Sequence, residues 1–276
     1  MKKYKFPTVL SIAGTDPTGG AGIQADLKTV AALGCYGMSV ITALVAQNTC
    51  GVRAIHSVPV SFVKAQLFAV LEDITPDAIK IGMVHTLELV TAIAETLQQY
   101  PDIPVVFDPV MIATSGDRLI EEETVAGIVE QLFPLATVIT PNLDEAGLLI
   151  NTTIKTVDEM HLAGAGIMKL GCNALLLKGG HLQSAQLTSL LFTNDEVKEY
   201  TSAKIETKNM HGSGCTLSSA IASYLARGEN LETAVALAQQ YVHGAILNAK
   251  DVITGHGNGP LNHSYNPQKM ITYEME

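Results

Sequence analysis

The chain has 276 residues, 47% of them hydrophobic and 16% charged, with a formal net charge of −10. That length and apolar content can bury a substantial core and exclude a disordered chain, and the acidic balance excludes a general attraction to nucleic acid or to an anionic membrane surface. An anionic ligand must therefore be held by local groups.

In chain order, a basic N-terminus leads into an apolar run at 8–13 that reads as a strand, followed by Gly14-Thr15-Asp16-Pro17-Thr18-Gly19-Gly20-Ala21-Gly22 and a helix over about 23–33 that Gly34 can end. Strand, glycine loop and helix begin a parallel α/β unit. The loop lacks the Gly-Lys-Ser/Thr of a Walker A motif and the spacing of a dinucleotide fingerprint. Asp26, one turn into the helix, can hydrogen-bond a small ligand or stand as a solvated carboxylate near the helix dipole. The run 36–49 reads as one apolar strand ending in polar residues. The carboxyl end of a parallel strand lines the binding crevice, which places Gln47 and Asn48 to read a heterocycle.

The alternation continues with a helix at 61–72, a strand at 78–83, a helix at 87–99, a strand at 105–111, a helix at 121–132 and a strand at 137–140. Continuously apolar strands in this order predict a mostly parallel sheet covered by helices on both faces. Asn142 and Glu145 follow, at a helical i, i+3 spacing that suits a metal's water shell or, equally, a variant capping box. Thr156 and Glu159 have capping-box spacing before a helix that Gly171 can close. A strand at 174–178 precedes Gly179-Gly180-His181, and the runs 187–192 and 197–201 flank a turn, predicting antiparallel strands at one sheet edge. A helix to Arg227 and a last helix from an Asn230 cap to about residue 248 complete the chain.

No linker, repeat or low-complexity tract divides residues 1–276, which points to a single domain. Cys35, Cys50, Cys172 and Cys215 lack CxxC or Cys/His ligand spacing, so neither a zinc site nor a disulfide framework is expected. His85 and His161 read as surface or packing residues. With no signal-peptide pattern and no apolar segment of bilayer length, a cytoplasmic protein without membrane contact is expected.

The stretch 205–225 concentrates the chemistry. His211-Gly212-Ser213-Gly214-Cys215-Thr216 is a tight turn opening a helix of small and apolar residues, and such a helix start offers unpaired N–H groups and a positive dipole end to a phosphate. The same field is expected to lower the pKa of Cys215. Read alone, the glycines could simply make a turn and Cys215 could be a small packing residue.

Several motifs occur together over nearly the whole chain: Ala13-Gly14-Thr15-Asp16-Pro17 with the glycines to Gly22, Ala46-Gln47-Asn48-Thr49, Lys80-Ile81-Gly82-Met83, Thr140-Pro141-Asn142-Leu143-x-Glu145, Lys178-Gly179-Gly180-His181, and residues 207–216. In this order they resemble the ribokinase-like superfamily and, within it, the hydroxymethylpyrimidine/phosphomethylpyrimidine kinase branch. The resemblance implies a ribokinase-like three-layer sandwich, an α/β fold. It also implies phosphorylation of 4-amino-5-hydroxymethyl-2-methylpyrimidine by ATP with Mg2+, and then of the monophosphate to the diphosphate, in thiamine biosynthesis, by a homodimer.

By that resemblance, Gly212, Ser213, Gly214 and Cys215 form the anion hole for the phosphoryl group in transit, and Cys215 is either the proton acceptor or a positional group. Asp26 and Gln47 would bind the pyrimidine between walls of Gly14, Ala21, Met83 and Val110. Lys178, Lys208, Thr140 and Asn142 would serve the nucleotide, with Glu145, through water, and Asp108 in the metal's shell. Pyridoxal or pyridoxine phosphorylation is the competing activity, and a non-catalytic pyrimidine or nucleotide sensor the competing class.

Overall fold

The computed structural model describes residues 2–111, 120–180, 182 and 186–275; His181 of the sequence motif lies outside them. The chain runs β1 (Tyr4–Lys5), β2 (Thr8–Ala13), α1 (Gly22–Ala32), β3 (Tyr36–Ile41), β4 (Ala43–Asn48), β5 (Gly51–Ser57), α2 (Val60–Leu71), β6 (Ala78–Ile81), α3 (Leu87–Leu97), β7 (Val105–Phe107) and α4 (Glu122–Gly127). A wider-turned segment Ile128–Leu132 and a 3-10 turn Phe133–Leu135 extend α4. Then come β8 (Val138–Ile139), α5 (Leu143–Ile150), α6 (Val157–Met168), β9 (Leu175–Lys178), β10 (Gln186–Phe192), β11 (Val197–Ala203), α7 (Ser213–Ala226), α8 (Leu231–Leu247) and β12 (Tyr273–Glu274).

Eight strands form the central sheet in the order β11-β10-β9-β8-β7-β6-β2-β3. From β9 to β3 all neighbours are parallel, and β10 and β11 are antiparallel at one edge. Successive side chains of a strand point to opposite faces. Thus Leu10, Ile79, Phe107 and Leu175 pack with α2, α3 and α6, while Val9, Ala78, Val106 and Leu176 pack with α1, α7 and α8. A strand buried on both faces is apolar at nearly every position, which is why these strands read as mostly apolar runs; the buried exceptions, Ser11 in β2 and Lys80 in β6, both bond Asp26.

The helix ends follow local chemistry. Thr86 and Asn230 cap α3 and α8 by accepting the N–H groups of Leu89 and Thr233, Thr156 and Glu159 close the predicted capping box, and Gly34 and Gly171 lie at positive φ just past helices.

The run 36–49 is not one strand. β3 ends at Ile41, and Thr42 turns the chain out of the sheet: its N–H donates to the Ala13 carbonyl at 3.0 Å and its hydroxyl to the Met83 carbonyl at 2.9 Å. β4 then pairs antiparallel with β5, which the sequence pattern had not distinguished, in a separate two-stranded hairpin. Gln47 therefore sits on a hairpin beside the sheet rather than at the end of one of its strands.

Candidate active site

A cavity of about 670 Å³ opens at the carboxyl edge of the sheet. Loop 14–22, hairpin β4–β5, the ends of β6, β7 and β9, the start of α5, and the N-terminal turn of α7 all contribute to its lining. Parallel strands bring their carboxyl ends to one rim, so residues far apart in sequence converge there.

At the α7 side, Gly212 is the N-cap of α7 with φ +82, a conformation and a close approach that only glycine permits, since a Cβ there would collide with the Gly20 carbonyl. The two glycine loops thus touch. The Gly214 and Cys215 N–H groups have no backbone acceptor among the described residues, as expected of a helix start. Ser213 departs from the expectation, because its N–H is engaged with the Met210 carbonyl at 3.1 Å.

Burial pushes the Cys215 thiol up to about 11, and the facing Lys80 ammonium only partly opposes this. The lowering expected from the helix field is not found: burial outweighs the Lys80 charge and holds the thiol above its ordinary value.

Beside this turn, Lys178 at the end of β9 bonds Asp108 Oδ1 at 2.8 Å, and Thr140 donates to the same oxygen at 2.9 Å. Burial alone would raise Asp108, but Lys178 and Lys80 outweigh it and hold the carboxyl below its ordinary value. Thr140 is fully buried, is not among the residues lining the cavity, and holds Asp108. Asn142 and Glu145 do line the cavity, and they form the capping box of α5: Asn142 Oδ1 accepts the Glu145 N–H at 2.9 Å and Glu145 Oε2 accepts the Asn142 N–H at 2.8 Å. Burial raises Glu145 to about 7, with Lys178 opposing and Asp108 reinforcing the rise.

At the opposite side, Gly14, Ala21, Gln47, Met83 and Val110 line the cavity. Gly14 lies against Met83 and Val45, and Thr15 joins the hairpin to the glycine loop: its N–H donates to the Ala43 carbonyl and its hydroxyl accepts the Val45 N–H.

Asp26 is the main correction. It is fully buried, accepts from Lys80 Nζ at 2.9 and 2.8 Å and from the hydroxyls of Ser11 and Ser219, and is not among the cavity-lining residues. Its carboxylate is spent on an ion pair beneath the floor, joining β6 to α1 and α7, and Lys80 reaches the cavity in its place. Lys208 is exposed and also stands outside the cavity lining, as a long cation in a surface loop favours solvent.

Sequence reasoning also missed Asp16 and His211. Buried Asp16 accepts from the Thr18, Gly20 and Ala21 N–H groups and lies 2.9 Å from His211 Nε2, tying the loop 14–22 to the turn before α7. Burial disfavours its charge, yet these bonds hold Asp16 below the ordinary carboxylate range. The signal was an aspartate inside a glycine-rich loop, which alone resembles any turn former.

A parallel α/β sandwich with paired glycine loops, a helix N-terminus aimed into the cavity and a lysine beside it defines a small-molecule kinase of the ribokinase-like class. The model of the phosphomethylpyrimidine kinase family matches residues 16–262, and the chain belongs to that family. A hydroxymethylpyrimidine/phosphomethylpyrimidine kinase of Rhizobium meliloti is 50% identical over 92% of this chain and 96% of its own length. A phosphomethylpyrimidine kinase structure from Clostridium difficile aligns with a TM-score of 0.77 at 45% identity, covering 87% of this chain and 99% of that one. The ADP complex of Bacillus subtilis pyridoxal kinase aligns with a TM-score of 0.87 at 34% identity, covering 95% and 98%.

Proposed function

We propose that the chain transfers the terminal phosphoryl group of ATP to the hydroxymethyl group of 4-amino-5-hydroxymethyl-2-methylpyrimidine, and then to the resulting monophosphate, in thiamine biosynthesis. The observation that carries this reading is that Gln47, the glycine loop, the N-terminal turn of α7 and Lys178 line one cavity. Residues 1–276 act as one kinase domain in it, and the family resemblance adds a homodimer in the cytoplasm.

The Gln47 carboxamide pairs a donor and an acceptor with the adjacent amino group and ring nitrogen of the aminopyrimidine, while Gly14, Ala21, Met83 and Val110 hold the ring. The Gly214 and Cys215 N–H groups, the dipole of α7 and Lys178 compensate charge on the group in transit. With Cys215 held as a thiol, the alcohol proton passes late to a phosphoryl oxygen in a loose transition state, and the cysteine acts by position.

Magnesium fits the donor set. Among the described residues no three His, Cys, Asp or Glu side chains form a cage, but Asp108 and Glu145 bring two carboxylates to the cavity, and Mg2+ bound largely by phosphates and water needs no more. Charge neutralisation on the nucleotide phosphates is the chemistry the ion supplies when bound.

Pyridoxal phosphorylation as a side activity is supported by the close superposition on the pyridoxal kinase; the higher identity to the pyrimidine kinases supports the pyrimidine as the preferred acceptor. Incubation with ATP, Mg2+ and each acceptor is expected to yield pyrimidine mono- and diphosphate, with turnover exceeding that on pyridoxal. The reverse preference would overturn the assignment, and binding without turnover would favour a sensor.

A further inference from the structure

Residues 255–263 run from the tip of hairpin β4–β5 to the first turn of α7. At the tip, Thr49 Oγ1 accepts the N–H groups of His256 at 3.2 Å and Gly257 at 3.1 Å, and the Thr49 carbonyl accepts the Asn258 N–H at 2.9 Å. The fit is also steric, since a Cβ on Gly255 or Gly257 would collide with Thr49. Farther along, the Gly259 carbonyl accepts the His211 N–H at 3.1 Å, and buried His263 bonds the Thr216 hydroxyl at 3.0 Å. One strap thus seats both the hairpin tip and the loop that starts the anion hole.

The hairpin depends on that seat. Two strands alone are marginal in water, and in β4 and β5 only Ala43 is buried. Its base is fixed by Thr15 and Thr42, so its tip is positioned by the three bonds at Thr49. Thr49 and Asn258 both line the cavity, and Gln47 lies two residues before Thr49.

We propose that Thr49 is a positioning residue for the phosphoryl acceptor: seated in the socket at 255–258, it holds the hairpin, and with it Gln47, at a fixed separation from the α7 turn. This rests on the pyrimidine-kinase reading, in which the hairpin contacts the acceptor. Loss of the seat lets the tip swing without disturbing the core, so the effect falls on the acceptor and not on ATP or on folding.

The test compares Thr49→Val, which keeps the shape and removes the hydroxyl acceptor, with Thr49→Ser, which restores it, varying pyrimidine and ATP separately and recording melting of each variant. Thr49→Val is expected to raise the pyrimidine KM about tenfold and to lower kcat, with the ATP KM changed less than about twofold, the melting midpoint unmoved and Thr49→Ser close to wild type. Gly257→Ala, filling the socket from the other side, is expected to reproduce the valine pattern. Unchanged pyrimidine kinetics, an equal rise in both KM values, or a Thr49→Val protein that does not fold would each overturn the proposal. Absence of pyrimidine phosphorylation by the wild type would instead overturn the functional reading on which it stands.

Discussion

The wall carrying residues 212–215 is backed by α7, ten of whose fourteen residues are buried, and is tied to the rest of the core by Ser219, Asp26 and Lys80. The facing wall is hairpin β4–β5, outside the main sheet, with Leu44, Val52 and Ile55 exposed. Groups that compensate transition-state charge gain most when they are preorganised, which a half-buried helix start on an otherwise buried helix provides. Groups that admit and recognise an acceptor need a wall that can move, which a lightly buried hairpin provides. In the proposed reading the cavity thus divides its work between a core-backed side for phosphoryl transfer and a lightly buried side, held at its tip by the 255–258 socket, for selecting the alcohol.

The strongest way to break the rigid side is Lys80→Met. It leaves the Asp26 carboxylate fully buried with only two seryl hydroxyls, and removal of one partner of such a pair costs about 3–5 kcal/mol. Denaturant unfolding should therefore shift to much lower midpoints, and the double variant Lys80→Met, Asp26→Leu should recover part of the loss, because no buried charge remains.

Gln47→Ala tests the other wall. Loss of the carboxamide should raise the pyrimidine KM about tenfold while the ATP KM and the unfolding midpoint stay near wild type, because Gln47 contributes little to the core. A loss of stability comparable to that of Lys80→Met would erase the contrast between the walls.

A third test concerns pH. Glu145 is raised from 4.5 to about 7 in the folded protein, so the folded state binds more protons than the unfolded chain across that interval, and this group subtracts stability as pH rises through it. Relative to Glu145→Gln, which cannot ionise, the wild type should lose unfolding free energy between about pH 5 and about pH 8, measured by denaturant titration at several pH values. A difference that stays flat, or that grows in favour of the wild type, would mean that the capping-box bonds outweigh burial.

Much of the fold is local and was legible. The predominantly apolar runs at β2, β6, β7 and β9, each followed by a turn or capping signal, point to a sheet buried on both faces, and the motif order along the chain identifies the family whose loops converge at its carboxyl edge. Gly14, Gln47, Met83, Lys178, Glu145 and the 212–215 turn accordingly line one cavity. What sequence order could not decide is what a polar group meets after the chain closes. Asp26 reads as a ligand until Lys80, 54 residues away, arrives opposite it, and Cys215 reads as an activated thiol until its surroundings, with Asp26 and Asp108 nearby, outweigh the Lys80 charge and raise it. The break at Thr42 and the socket at 255–258 likewise depend on partners remote in sequence. Periodicity and turn chemistry act over a few residues and are therefore written locally; burial and charge pairing act through space, and only the tertiary structure assigns them.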